Sequence, residues 1–308
     1  MRLLVTGGAG SLGSNLIEYV AARCEAIMVI DNFATGKRES LLPQPNLEIV
    51  EGSITDAELV TNTFRRFAPT HVVHAAASYK NPNDWATDAE VNVIGTINVV
   101  RASEGAKVER FVNLQTALCY GRPTTVPIPV EHPTAPFISY GISKTAGEAF
   151  VAASRLPWVS LRLANVTGPR LAIGPIPAFY KKLKSGEPCT VSIAIRDFLD
   201  MSDFLSLMDR VLGSSETGLF NVSTGEGHTI EEVFRLVAKH VGLAGAQPDV
   251  IVKPEDDDIA AVVLDPVRTA KVFNWSAHAG FEETILRMLR WYDKHGVTDV
   301  YSHLQAKQ

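Results

Sequence analysis

The chain has 308 residues and a mass of 33.4 kDa, with 46% hydrophobic and 20% charged residues, a composition of ordinary globular proteins large enough to bury a core without covalent staples. Its 29 Lys and Arg against 34 Asp and Glu leave a net charge of −5, and no basic cluster offers a footprint for nucleic acid. Cys24, Cys119 and Cys189 are odd in number and far apart, which argues against a disulfide framework or zinc site, and no apolar run is long enough for a signal peptide or membrane span, so a cytoplasmic protein is expected.

Leu3 to Val5 is a short apolar run that ends in Thr6-Gly7-Gly8-Ala9-Gly10-Ser11-Leu12-Gly13. Helical spacing follows over 15–22, then a second buried run from Ala26 to Ile30, stopped by Asp31-Asn32. Further apolar runs lie at Leu47–Val50, His71–Ala77, Phe111–Leu114 and Val159–Leu163, separated by helical stretches near 56–67, 90–104 and 140–154. Continuous apolar strands joined by helices predict an α/β fold: a Rossmann doubly wound parallel sheet covered on both faces, with ligands beyond the carboxyl ends of its strands.

After Leu163 the alternation weakens. Gly174-Pro175-Ile176-Pro177 and Ser185-Gly186-Glu187-Pro188 read as turns, 231–241 and 282–292 as amphipathic helices, and Glu255-Asp256-Asp257-Asp258 as a solvated loop. The expected division is a cofactor-binding domain over 1–165, rejoined by a late strand near 218–223, and a smaller C-terminal substrate-binding lobe over 166–308.

The glycine segment sits between a strand and a helix. Gly8, Gly10 and Gly13 satisfy G-x-G-x-x-G, and Gly7, Gly10 and Gly13 satisfy G-x-x-G-x-x-G. Such a turn brings bare backbone against a pyrophosphate at a helix N-terminus. Asp31 closes the second strand, where a carboxylate accepts from the adenosine ribose hydroxyls and repels a 2′-phosphate, so NAD is expected rather than NADP. Lys37 and Arg38 lie close enough in sequence to meet a phosphate instead.

Tyr140-Gly141-Ile142-Ser143-Lys144 is Tyr-x-x-x-Lys at the start of a predicted helix, which sets both side chains on one face. A phenol titrates near 10, and bringing it to about 7 takes some 4 kcal/mol of differential stabilisation. The Lys144 ammonium and an oxidised nicotinamide are the expected source, making Tyr140 a general base for a hydroxyl that loses hydride. Thr116 stands just past the Phe111–Leu114 strand, where its hydroxyl can hold the reacting oxygen. Asn92 opens a helical stretch whose polar side chain is expected to face the cofactor.

Together these residues resemble the extended short-chain dehydrogenase/reductase family, in its UDP-galactose 4-epimerase-like nucleotide-sugar branch, over nearly the whole chain. The resemblance implies that Gly7, Gly10, Ser11, Leu12 and Gly13 hold the dinucleotide, and Asp31, Asn32, Phe33, Thr35 and Gly36 its ribose. Ser53 stands where relatives have an Asp near the adenine, beside Ile54, and Ala75, Ala76 and Ala77 form the cofactor loop of the fourth strand. Thr116 falls on the catalytic Ser/Thr, and Tyr140 and Lys144 on the base and its partner. Asn165 falls on a phosphate contact, and Arg196 on the arginine that grips the pyrophosphate, a role suited to its bidentate guanidinium. Lys80 is expected either to reach a substrate anion or to lie solvated. Lys253 replaces a phosphate-binding Arg. A homodimer is also implied, through the helices near 90–104 and 140–154, where Ala146, Ala149, Ala152 and Ala153 permit close approach but suit packing on the sheet equally well.

One departure bears on the reaction. The 4,6-dehydratases of this kind carry an Asp-Glu pair after the catalytic Thr, and the decarboxylases a Glu; here Ala117 and Leu118 stand there, and neither transfers a proton. The expected activity is therefore an NAD-dependent nucleotide-sugar 4-epimerase working through a 4-keto intermediate. Decarboxylation, dehydration or net oxidation from the same intermediate is the alternative, and a non-catalytic dinucleotide sensor is disfavoured by the Tyr-x-x-x-Lys pair.

Overall fold

The computed structural model describes residues 1–252, 259–297 and 300, so Lys253 and the Glu255–Asp258 run lie outside the described residues. The chain opens with β1 (Arg2–Thr6), α1 (Ser11–Val20), β2 (Ala26–Asp31), β3 (Leu47–Glu51), α2 (Ala57–Phe67) and β4 (His71–His74). It continues through α3 (Trp85–Ala89), a π-helical segment at Glu90–Gly95, α4 (Thr96–Ala106), β5 (Arg110–Thr116), α5 (Ser139–Ala153) and β6 (Trp158–Leu163). With β11 (Gly218–Val222), these strands form a seven-stranded sheet in the order β11-β6-β5-β4-β1-β2-β3, every pairing parallel. The expected architecture is present: a doubly wound sheet whose strand order reverses between β1 and β4.

Alternation along the strands sorts the core into two layers. Leu3, Val5, Ile27 and Val29 face α1 through Leu16 and Ile17, and on the same face lie Phe204, Leu207 and Met208 of α7 (Met201–Leu212). Leu4, Met28, Ile30 and Val72 face the other way, onto Val60 and Phe64 of α2, Val99 of α4 and Val151 of α5.

The remaining elements are β7 (Asn165–Thr167), α6 (Pro175–Ser185), β8 (Thr190–Ser192), β9 (Ile195–Arg196), β10 (Phe198–Asp200), β12 (His228–Thr229), α8 (Ile230–His240), β13 (Val250–Val252), β14 (Ala261–Val262), α9 (Val267–Phe273) and α10 (Phe281–His295). A second apolar cluster joins α6, α8 and α10 through Phe179, Val233, Phe234, Ile285, Met288 and Leu289. One expected turn is corrected here, because 175–177 form the first turn of α6, while 185–188 is the turn that ends it. Pro175 takes the first helical position, where its missing N–H has no partner to lose, and Gly186 ends the helix in the left-handed conformation at φ 69°.

Candidate functional site

Bare backbone meets at three points beyond the carboxyl ends of β1, β2 and β4. Gly7 takes φ 67°, and a Cβ there would lie 2.6 Å from Ala76 backbone atoms. A Cβ on Gly13 would lie 2.6 Å from the Gly7 carbonyl oxygen, and one on Gly36 equally close to the Ala9 carbonyl carbon. The turn after β1, the loop after β2 and the loop after β4 thus pack into a cradle only glycine permits, ending at the N-terminus of α1. That cradle and the carboxylate beside it fit a dinucleotide.

Asp31 is buried, its two carboxylate oxygens accepting from Ala9 N and Phe33 N, both at 2.8 Å. Each oxygen keeps a lone pair for a ribose hydroxyl. Phe33 has φ 55°, which turns the ribose loop, and Asn32 Oδ1 accepts from Ala34 N at 3.1 Å. Arg38 pairs with Glu51 and lies 4.3 Å over the Phe33 ring, so its guanidinium is already engaged, in keeping with NAD. Thr35 is half-buried in this loop. Ser11 Oγ donates to Pro169 O at 3.0 Å, tying the start of α1 to the strand-end loop after β7, while Leu12 packs onto the core. Ser53 Oγ accepts from Thr55 N and Thr55 Oγ1, which leaves its proton free to donate; the Ile54 side chain is buried and its carbonyl accepts from Asn98 at 3.0 Å.

The loop after β4 is held from beneath by a side chain that sequence reasoning missed. His74, fully buried, sits between Thr6 Oγ1 at 2.7 Å and Thr96 Oγ1 at 2.9 Å. Ala75 N donates to Thr6 O and Ala76 N to Thr6 Oγ1; Ala77 follows in the same loop. Asn92 lies in the π-helical segment with its side chain directed inward: Oδ1 accepts from Ser78 N at 2.8 Å, and Nδ2 donates to Ser78 O and Ser143 Oγ, both at 2.9 Å. It braces the loop after β4 against α5. A π-turn of this kind commonly marks a functional site.

Tyr140 and Lys144 occupy successive turns of α5. Gln115, in the buried interior of β5, donates from Nε2 to Lys144 O at 2.9 Å and accepts from Thr116 N at 2.8 Å, which locks the helix to the strand end bearing Thr116. Thr116 Oγ1 accepts from Leu118 N at 3.2 Å and retains its own proton to donate. Tyr140 is half-buried, with the Tyr79 ring edge-on at 5.8 Å. Burial, then Tyr79 and Asp88, raise the phenol above its ordinary value. Burial also weakens the Lys144 ammonium to about 8, against the pull of Glu148. Burial, Tyr79 and Asp88 thus all oppose ionisation of the phenol in the protein by itself.

On the facing side, exposed Asn165 donates from Nδ2 to Asp197 O at 3.0 Å, which sets it beside the strand carrying Arg196. Arg196 NH1 donates to Ile195 O at 2.9 Å and Ile259 O at 2.7 Å. The buried Asp197 accepts from Thr224 N, Thr224 Oγ1 and Gly225 N; burial nevertheless raises its carboxyl to about 6. Lys80 is exposed in the loop after β4. His74, Asp88 and Gln115 carried a faint signal, being polar residues set within or beside apolar runs.

Residues 3–223 match the family model described as "NAD dependent epimerase/dehydratase family". The chain is 60% identical to the Bordetella bronchiseptica enzyme WbmG, solved in complex with NAD and UDP, covering 99% of this chain and 98% of that one at a TM-score of 0.92. It is 28% identical to a Thermotoga maritima UDP-glucose 4-epimerase solved with UDP-glucose, over 96% and 99% of the two chains, TM-score 0.85. A UDP-glucose 4-epimerase of Mycolicibacterium smegmatis is 29% identical over 95% of this chain and 98% of its own length.

Proposed function

This chain belongs to the NAD dependent epimerase/dehydratase family, and on that premise we propose that it is a nucleotide-sugar 4-epimerase acting on a UDP-sugar. The observation that carries the reading is the pair after Thr116: Ala117, buried, and Leu118, neither able to move a proton. The Thr116–Tyr140–Lys144 set then has no second acid or base at the place where an elimination needs one. The names of the similar proteins, UDP-glucose 4-epimerases and an enzyme holding NAD and UDP, agree.

Gly7, Gly10, Gly13, Asp31 and the Ala75–Ala77 loop hold NAD, which when bound supplies a reversible hydride acceptor and, oxidised, a positive charge beside the phenol. Tyr140 takes the proton from the carbon-4 hydroxyl and returns it. Thr116 donates to the same oxygen, and Lys144 holds the nicotinamide ribose. Asn165 and Arg196 anchor the diphosphate while the 4-keto sugar turns over. Residues 1–165 with the 218–222 strand bind the cofactor, and the rest of the chain forms the substrate lobe.

Two further properties follow. Ile94, Ile142 and Phe150 are exposed on the π-helical segment and α5, next to exposed Ala149, Ala152 and Ala153, and this apolar face suits a homodimer. Among the described residues no helix is long and apolar enough to cross a membrane, and the three cysteines are free and buried, which suits a reducing cytoplasm.

Purified protein mixed with UDP- and dTDP-hexoses should equilibrate carbon-4 epimers of one of them with no net NADH. Tyr140→Phe should lower that rate about a hundredfold to ten-thousandfold. Stoichiometric NADH without epimers, or a Tyr140→Phe variant at full rate, would overturn the reading.

A further inference from the structure

Asp88 is 1% exposed, on α3, the short helix that precedes the π-helical segment. Its Oδ1 accepts from Ser78 Oγ at 2.8 Å, in the loop after β4. Its Oδ2 accepts from Ser139 Oγ at 2.7 Å, in the first residue of α5 and next to Tyr140. One buried carboxylate therefore bridges two walls of the cleft: the wall that carries Tyr79 and the helix that carries the phenol.

We propose that Asp88 is a positioning residue for Tyr140, fixing the phenol of α5 against the cofactor loop through Ser139 and Ser78. The proposal rests on the role given to Tyr140 above. A carboxylate out of water needs donors, and two hydroxyls supply them, so the charge is affordable only where both walls stay in place. Loss of either serine contact leaves a buried acceptor unpaired, and this couples loop and helix more stiffly than a neutral pair of hydrogen bonds.

The bridge has an electrostatic side. The titratable groups acting on the phenol are Tyr79 from the loop after β4 and Asp88 from α3; Lys144, one turn further along α5, acts on His74 from β4 and is itself acted on by Glu148 from α5. The Asp88 charge works against tyrosinate, so the residue that orients the base also opposes its ionisation.

Asp88→Ala and Asp88→Asn separate the two effects. Asn keeps both bridges, since its oxygen accepts from one serine and its amide donates to the other, while removing the charge. In NAD-loaded protein, Asp88→Ala should lower kcat roughly a hundredfold, as misplacement of a reacting group by about 1 Å does, with KM for the nucleotide sugar little changed. Asp88→Asn should recover most of that loss and move the acid limb of the kcat profile to lower pH, because tyrosinate then forms more readily. The same shift should appear in the ultraviolet tyrosinate titration of the protein, taken as a difference against Tyr140→Phe. Asp88→Ala at full kcat, or Asp88→Asn with an unmoved acid limb and titration, would overturn the proposal. If the unmodified protein turns over none of the sugars, the epimerase reading fails instead, and the tyrosinate titration still decides the case of Asp88.

Discussion

His74 shows how one buried side chain sets the condition of a site it does not line. Ala76 N donates to Thr6 Oγ1, and the Thr96 hydroxyl donates to Asn92 O at 2.7 Å. The imidazole must then accept from Thr6 at Nδ1 and donate to Thr96 from Nε2, a tautomer assigned from its partners. Burial first, and the Lys144 charge second, push its pKa down to about 3. A histidine whose folded value lies below its unfolded value contributes stability that is full above about pH 6.5 and is lost as pH falls towards about 3. Thermal unfolding should therefore soften between neutral pH and about pH 5 in the native chain. A His74→Gln variant, less stable at neutral pH, should show a flatter decline over that interval. Equal slopes for the two proteins would show that His74 does not control the acid response.

At the scale of elements, α5 is the part through which the site is assembled, and its contacts are made by small residues and buried charges. Gly147 lies where a Cβ would come within 2.4 Å of Asn92 O in the π-helical segment. Backbone oxygen cannot rotate aside as a side chain can, so Gly147→Ala must move one element off the other. We expect a loss of about 1–3 kcal/mol in unfolding free energy together with reduced kcat. A variant as stable and active as the parent would show that the close approach carries no weight. The next residue, Glu148, pairs with Arg162 at 2.7 Å, both side chains 6% exposed, while Ser160 donates to the same carboxylate at 2.6 Å. The pair fastens α5 to β6 and places a negative charge near Lys144, which partly offsets the burial that weakens the ammonium. Gln115, from β5, completes the attachment on the other side.

For the molecule as a whole, one exposed apolar face lies along α5 and the segments next to it. Trp85 is 71% exposed, Ile94 51%, Ile142 50% and Phe150 46%, all on or next to α3, the π-helical segment and α5. Association of two copies through this face would rest α5 on a second subunit and stiffen the segment bearing Tyr140. Ile142→Glu with Phe150→Glu should leave a folded monomer by light scattering, with kcat lowered more than Tm. If the double variant and the parent have the same mass in solution, the apolar face is not the subunit contact.

The parallel sheet was legible because strands buried on both faces carry apolar runs, plainest in β1, β2 and β4; β3 carries Glu48 and Glu51, and β5 and β6 interrupt their runs with the buried polar residues Asn113, Gln115, Ser160 and Arg162. The glycine turn, Asp31 and Tyr-x-x-x-Lys were legible for a related reason, since their chemistry depends on spacing within a single turn or helix. Much of the second lobe was hidden, because its short strands and α6 are defined by packing between segments distant in the chain rather than by a periodicity of their own. Local order alone therefore determined the architecture and the identities of the glycine turn and the Tyr-Lys pair. Tertiary structure decided the surroundings of the Tyr140 phenol and the contacts of Asn92, His74 and Asp88. Burial and hydrogen-bond partners come from segments tens of residues apart, and no local pattern encodes which of them will meet.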